Sequence, residues 1–172
     1  MTSLTACLAI GFASEALPED RGAAAVWQSL KKLETNVRVL YVTAHPDDED
    51  AGLLTYLARG RGFEVTLMTL TRGESGANLI TGDTFDRLGV LRTLELSKAA
   101  QHYGVALRFA GFADYGYSKN IEEAWRKWNR DEVVAEVVRA IDDIRPHIVI
   151  TRFTGTPRDG HGQHQASGVV GK

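Results

Sequence analysis

The sequence contains little that would support a disulfide framework, a membrane span or a nucleic-acid surface. Cys7 is the only cysteine among the 172 residues, which excludes intrachain disulfides and a structural zinc site built on several thiolates. No apolar stretch reaches the roughly 20 residues that a membrane-spanning helix needs, so we predict no membrane span. The 20 basic residues are scattered and balanced by 22 acidic ones, so we expect no nucleic-acid partner. The composition is that of a globular domain. Without a charged surface for nucleic acid or membrane, we expect its partner to be a small molecule.

The first 17 residues differ in composition from the rest of the chain. Residues 4–13 form an apolar run of signal-peptide length, and small and polar residues follow it. No lysine or arginine precedes the run, which leaves a mobile apolar tail as the alternative. We expect residues 1–17 to be a signal peptide or a tail, and we expect export to the periplasm or the extracellular space, with the cytoplasm as the alternative.

Apolar, β-rich segments alternate with helical segments along most of the chain. Strands are predicted at residues 37–42, 63–70, 105–109 and 147–152, and helices at residues 21–33, 51–59, 84–103 and 131–144. This alternation predicts an α/β fold, a Rossmann-like three-layer sandwich with a mainly parallel sheet. An N-terminal helix is expected within residues 18–35, and the domain itself within residues 36–172. Ligands bind such sheets where the strand order reverses, typically between the first and fourth strands.

Histidines and carboxylates are concentrated in the loops after the first and fourth predicted strands. The first loop contains His45, Asp47 and Asp48, and the second contains His161 and His164. Imidazole and carboxylate suit a borderline divalent ion, and a catalytic zinc site needs three protein ligands and one open position. Because the fold brings both strand ends to one crevice, His45, Asp48 and His164 can supply those ligands. The pattern predicts metal-assisted hydrolysis.

Asp47 and His161 remain available for acid–base chemistry at such a site. Asp47 is placed to take a proton from a water activated by the ion, and His161 can polarise a carbonyl or protonate a leaving amine. Each loop also has a simpler explanation. Carboxylates after Pro46 can cap a helix N-terminus, and histidines in a glycine-rich loop are often solvated turn residues. Their coincidence at two neighbouring strand ends favours the metal site.

The first loop carries a specific family signature. Residues 44–49, Ala-His-Pro-Asp-Asp-Glu, together with residues 161–164, His-Gly-Gln-His, resemble the PIG-L/LmbE family of zinc-dependent N-deacetylases. The resemblance spans about residues 36–168. It implies removal of an acetyl group from an N-acetylglucosaminyl substrate, either an amino sugar or a glycoside.

The resemblance also assigns roles to individual residues. It implies zinc, with Fe²⁺ possible, as the cofactor, Asp47 as general base and His161 as oxyanion stabiliser or acid, with the metal ligands being His45, Asp48 and His164. Arg92, on the long predicted helix, and Asp114, after the third strand, resemble residues that the family uses to bind substrate. Each has a plain alternative, an ion pair with Glu95 on the helix face for Arg92 and a turn for Asp114.

Two departures from the family pattern affect these expectations. Gln163 stands where many members have an aspartate, so the orientation of the metal ligands can differ. The sequence stops at Lys172, whereas family domains usually continue, so we expect a domain truncated at its C-terminus. Three alternatives stay open: another metal-dependent amidase of the family, an inactive carbohydrate-binding fragment, and an Fe(II) oxygenase, whose ligands are also two histidines and one carboxylate. The sequence leaves the oligomeric state unknown.

Overall fold

The computed structural model describes residues 20–172. In chain order the elements are α1 Gly22–Leu33, β1 Arg38–Thr43, α2 Ala51–Thr55, β2 Glu64–Thr69, α3 Asp86–Tyr103, β3 Ala106–Phe109, α4 Ile121–Lys127, α5 Arg130–Ile144, β4 Ile148–Thr151 and α6 Gly162–Val170. A π-helical turn, Tyr56–Gly60, continues α2, and a 3₁₀ turn, Pro157–Asp159, precedes α6. The expected signal peptide or tail at residues 1–17 lies outside the described residues. Among the described helices, none combines the length and the apolar character needed to cross a bilayer.

The four strands form one parallel sheet in the order β3-β2-β1-β4. Val39 of β1 pairs with Val65 of β2 on one side and with Ile148 of β4 on the other. The chain runs outward from β1 to β3 and then crosses back to β4, so the strand order reverses between β1 and β4. The carboxyl ends of these two strands therefore flank the crevice in which a ligand is expected.

Helices cover both faces of the sheet because its central strands are apolar on both sides. Val39, Tyr41 and Leu67 pack against α2 and α3. Leu40 and Val42 point the other way and pack against α4, α5 and α6. A parallel sheet needs this double cover, since neither of its faces is polar enough to meet water. The three layers confirm the predicted fold class.

Helix α4 was missed by the sequence analysis, although its start carries a local signal. The side chain of Asn120 accepts a hydrogen bond from the Glu123 backbone N–H at 3.0 Å, which caps the helix. Trp128 ends the element and anchors it, since its indole N–H donates to the Ala113 carbonyl at 2.9 Å. The start of α6 lies directly against this region, and a Cβ at Gly162 would collide with the Asn120 carbonyl. Helix α4 thereby fixes where α6 begins.

Candidate metal centre

The loop after β1 is folded so that Asp48 turns back towards His45. The Asp48 carboxylate accepts a hydrogen bond from the His45 backbone N–H at 2.7 Å. Capping of α2 falls instead to Asp50, whose side chain accepts from the Leu53 backbone N–H at 2.9 Å. The helix-capping alternative therefore applies to Asp50 and leaves the Asp48 carboxylate beside the imidazole of His45.

The first turn of α6 presents His164 from the opposite side of the crevice. Its Nδ1 lies 3.2 Å from the Asp159 carbonyl oxygen, and its ring stacks on Phe153 with a centroid distance of 4.0 Å. The Asp159 side chain is itself fixed by the backbone N–H groups of Thr154 and Thr156, at 3.1 and 3.0 Å. These contacts orient the His164 ring before any ligand binds.

His45, Asp48 and His164 converge on one point between β1 and β4. The Nδ1 of His45 lies 3.2 Å from Oδ2 of Asp48, and the Nε2 of His164 lies 3.3 Å from Oδ1 of the same carboxylate. One ligand atom from each residue lies within 4.8 Å of the other two. Two imidazoles and one carboxylate, with no fourth protein ligand required, fit a catalytic site for zinc or a similar ion.

Burial and charge pairing set the protonation of this cluster. Burial opposes ionisation of Asp48, but its hydrogen bonds with His164 and His45 outweigh it and hold the pKa of Asp48 far below the usual range. Burial also favours neutral His45, yet the hydrogen bond and the charge of Asp48 raise the pKa of His45. Asp48 is therefore a carboxylate at neutral pH, which is the form that binds a metal.

His161 lies beside the cluster and is packed between two rings. It stacks on His45 with a centroid distance of 5.2 Å and on Tyr117 with a distance of 5.3 Å. Its Nδ1 lies 3.2 Å from both the backbone nitrogen and the carbonyl oxygen of Ser118. Burial lowers the pKa of His161. The sequence did not predict that Tyr117 belongs to the site. The only available indication was its position, as an aromatic residue in the loop after the third strand.

Asp47 and Arg92 contact each other in the same cleft. The Nη2 of Arg92 donates to Oδ2 of Asp47 at 2.8 Å, and the arginine side chain is 14% exposed against 60% for the aspartate. The guanidinium passes over the loop after β2, where a Cβ at Gly73 or Gly76 would collide with its Nη1. The space that Arg92 occupies therefore explains Gly76, whereas Gly73 is also favoured by its positive φ of 70°.

Asp114 forms part of the cleft wall and is connected to the metal centre. Its Oδ2 accepts from the Ser75 backbone N–H at 3.1 Å, and its Oδ1 accepts from the Gly116 N–H at 2.9 Å. The same Oδ1 accepts from the Gln163 amide at 3.2 Å, and the other end of that amide contacts His45. A role of Asp114 towards sugar hydroxyls stays a prediction.

The metal cluster and the residues assigned to catalysis and substrate binding line one cleft of about 800 Å³. Its wall contains every residue that the sequence analysis selected for the site, namely His45, Asp47, Asp48, Arg92, Asp114, His161 and His164. Apolar side chains, among them Leu79 and Leu91, complete the wall. A concave site of this size with a few convergent polar groups is typical of small-molecule binding.

Comparison with known proteins places this chain in a family. A family model described as GlcNAc-PI de-N-acetylase, PIG-L, matches residues 40–172. The chain belongs to the PIG-L family.

Among curated relatives, the 1D-myo-inositol 2-acetamido-2-deoxy-alpha-D-glucopyranoside deacetylase of Rhodococcus erythropolis is 38% identical over 143 residues, which are 73% of this chain and 47% of that protein. The enzyme of the same name from Mycolicibacterium smegmatis is 33% identical over 150 residues, 77% of this chain and 51% of that protein. This PIG-L chain spans about half the length of the curated relatives it matches.

Solved structures show the same fold in other proteins. N,N'-diacetylchitobiose deacetylase from Pyrococcus horikoshii superimposes with a TM-score of 0.62 at 20% identity, over 81% of this chain and 49% of that one. GalB, the 4-carboxy-2-hydroxymuconate hydratase of Pseudomonas putida KT2440, gives a TM-score of 0.58 at 20% identity, over 78% and 54% of the two chains. Since a deacetylase and a hydratase share it, the fold alone does not decide the reaction. PIG-L deacetylases are metal-dependent, and the His-Asp-His cluster is where this chain can bind a metal.

Proposed function

We propose that this chain carries the active site of a metal-dependent hydrolase that removes the N-acetyl group from an N-acetylglucosaminyl-type amino sugar or glycoside. The observation that carries the proposal is the convergence of His45, Asp48 and His164 in the same cleft as Asp47 and His161. The names of the curated relatives, which are deacetylases of a 2-acetamido-2-deoxy-glucopyranoside, support the substrate class.

Zinc is the ion that we propose for the cluster, with Fe²⁺ as the alternative. His45, Asp48 and His164 would hold it, because two imidazoles and a carboxylate suit either ion. When bound, the ion supplies a Lewis acid that polarises the amide carbonyl and makes a nearby water more acidic. Asp48 contributes the negative charge of this ligand set, and its depressed pKa keeps that charge in place at neutral pH.

Asp47 is the group that we assign to take the proton from the attacking water. Its carboxylate is more than half exposed in the cleft. Oδ2 of Asp47 accepts the hydrogen bond from Arg92, so we propose that Oδ1 accepts the proton from the water. The proton taken from water balances the one that the departing amine needs, and the products are acetate and the free amine.

His161 is assigned to the developing charge on the amide oxygen. Nδ1 of His161 lies 3.2 Å from both the backbone nitrogen and the carbonyl oxygen of Ser118, so these contacts are compatible with either tautomer, and we assign the ring proton to Nε2, with Nδ1 accepting from the N–H. Burial lowers the pKa of His161 and favours the neutral ring. A neutral ring with an N–H donor fits the oxyanion role better than the acid role.

Acetate release from N-acetylglucosamine derivatives tests this proposal. Asp47→Asn should lower the turnover by about 10²–10⁴-fold and leave the metal content unchanged. Asp142→Asn, at an exposed position on α5, is the matched control and should leave the turnover unchanged. Unchanged turnover in Asp47→Asn would contradict the assigned base. Equal turnover with and without oxygen would separate hydrolysis from an Fe(II) oxygenase reaction.

Export is a separate proposal that rests on the apolar segment at residues 4–13. Fractionation of cells that express the chain should recover it outside the cytoplasm with residues 1–17 removed. Recovery of the intact chain in the cytoplasm would contradict this proposal and leave the proposed reaction untouched.

A further inference from the structure

Gln163 is a buried amide between the metal centre and the cleft wall. It is 0% exposed. Its Oε1 lies 2.9 Å from Nε2 of His45, while its Nε2 donates to Oδ1 of Asp114 at 3.2 Å and to the Gly116 carbonyl at 2.9 Å. The partners fix the orientation of the amide. If the amide were flipped, its oxygen would face a carboxylate and a carbonyl, which both only accept hydrogen bonds.

This orientation determines which nitrogen of His45 carries the proton. Because Oε1 of Gln163 can only accept, Nε2 of His45 must donate. The lone pair available to a metal is then on Nδ1, the nitrogen that lies 3.2 Å from the Asp48 carboxylate. The hydrogen-bond partner of one imidazole nitrogen thus selects the other nitrogen as the ligand.

His164 is fixed in the opposite sense by its own partner. Its Nδ1 lies 3.2 Å from the Asp159 carbonyl oxygen, which can only accept, so Nδ1 carries the proton. Its Nε2, 3.3 Å from Asp48, is then the ligand atom. The two imidazoles of the cluster therefore present different nitrogens to the same point.

The far end of the Gln163 side chain requires an amide. Asp114 and the Gly116 carbonyl both accept hydrogen bonds there, so the residue must supply two N–H donors at that end and an acceptor at the other. A carboxylate could accept from His45 but could not donate to Asp114. An apolar side chain could do neither, and burial without these partners would leave polar groups unsatisfied.

We propose that Gln163 is a positioning residue that couples the metal centre to the cleft wall: its oxygen holds His45 as an Nδ1 ligand, and its nitrogen holds the Asp114 carboxylate. The inference rests on the proposed function, because it takes the cluster as a metal site. It extends that function by making the orientation of a metal ligand and of a cleft carboxylate depend on the same amide.

Two substitutions separate the ends of this amide. Gln163→Glu keeps the acceptor towards His45 and removes the donors towards Asp114, whereas Gln163→Met removes both. We expect the zinc Kd, measured by competition with a chromophoric chelator, to rise about 10–100-fold in Gln163→Met and not to rise in Gln163→Glu. Both variants should raise KM for the acetylated sugar. Gln165→Met, which removes a second buried amide from α6, is the matched control and should keep the wild-type zinc Kd.

The comparison of these Kd values decides the proposal. An unchanged zinc Kd in Gln163→Met would overturn it, and so would an equal rise in Gln163→Met and Gln165→Met. An equal rise in Gln163→Met and Gln163→Glu would also overturn it, because the acceptor towards His45 would then be irrelevant.

A spectroscopic measurement on the unaltered chain covers the case in which a variant fails to fold. Long-range ¹⁵N–¹H correlation spectra of the zinc-loaded protein should show the proton of His45 on Nε2 and that of His164 on Nδ1. A proton on Nδ1 of His45 would overturn the proposal. Neither the zinc Kd nor the NMR spectrum depends on deacetylation. Zinc binding with these tautomers but no acetate release would refute the proposed function alone, while acetate release with an unchanged Kd in Gln163→Met would refute this inference alone.

Discussion

An alanine at Gly76 should lower activity by displacing Arg92, with little effect on the fold. A Cβ at position 76 would lie 2.5 Å from Nη1 and 2.8 Å from Cζ of Arg92, far inside van der Waals contact. The guanidinium is the end of a flexible side chain, so it moves rather than the backbone. Its movement breaks the 2.8 Å hydrogen bond to Asp47 and releases the carboxylate that we assign as the base.

The size of the effect follows from the hydrogen bond that is lost. A hydrogen bond between charged groups contributes about 1.5–3 kcal/mol, which corresponds to a fall in kcat/KM of about 10–150-fold if the bond acts in the transition state. The free energy of unfolding should change by less than about 1 kcal/mol, because an alanine reduces the entropy of the unfolded chain and offsets part of the local crowding.

Acetate-release kinetics and urea unfolding of the same preparations measure both quantities. Gly82→Ala is the matched control, since nothing lies within 4 Å of a Cβ at that position in the same loop. Adding Gly76→Ala to Arg92→Ala should cause no further loss of kcat/KM. Wild-type activity in Gly76→Ala, or a full additional loss in the double variant, would refute the reasoning.

Three further predictions concern the fold and the placement of α6. Leu67→Ala, in the middle of the sheet and fully buried, should lower the free energy of unfolding by about 2–5 kcal/mol, and a loss below about 1 kcal/mol in urea titrations would contradict the described core. Gly162→Ala should shift the start of α6 away from Asn120, destabilise the chain by about 1–3 kcal/mol and weaken zinc binding, whereas wild-type affinity would contradict this packing. Burial opposes ionisation of Glu136, but hydrogen bonds from Arg108 and Arg139 lower its pKa below the ordinary glutamate value of 4.5. The stability that these hydrogen bonds contribute is fully present above the pKa of Glu136 in the unfolded chain and is lost as the pH falls. Arg108→Met should therefore weaken the pH dependence of the free energy of unfolding below about pH 5. An unchanged pH dependence would contradict this role of Arg108.

The sheet and the cluster could be predicted because their signals are local. The strand around Val39–Val42 is apolar on both faces, which is typical of a central parallel strand. His45 and Asp48 follow that strand directly, and His164 follows the strand that the topology places beside it. Once the strand order is known, the convergence of these residues needs no further information.

The connections between the site residues could not be predicted from the sequence. The contact of Arg92 with Asp47 depends on how α3 packs across the loop after β2, and no periodicity in the sequence reports that distance. The hydrogen bonds of Gln163 link segments that are far apart in the chain. The sequence showed only that Gln163 replaces a carboxylate of the family pattern with an amide. The hydrogen bonds of Gln163 in the structure show why an amide fits at this position.

Helix α4 shows a different reason for failure. The element has seven residues, fewer than two full turns, so its apolar side chains do not repeat often enough to show a helical period. The capping residue Asn120 was readable, but a cap without a periodic segment after it does not distinguish a helix from a turn. Packing against α6 and the anchoring of Trp128 stabilise α4, and both are long-range contacts.

The metal content of the chain tests the central claim most directly. Zinc titration of the purified protein against a chromophoric chelator should show one tightly bound equivalent in the wild type. The same titration should show a large loss of affinity in His164→Ala, because the variant removes one of the three ligand atoms that converge in the cleft. A wild-type chain that binds no zinc and no Fe²⁺, or a His164→Ala variant that binds zinc as tightly as the wild type, would contradict the account.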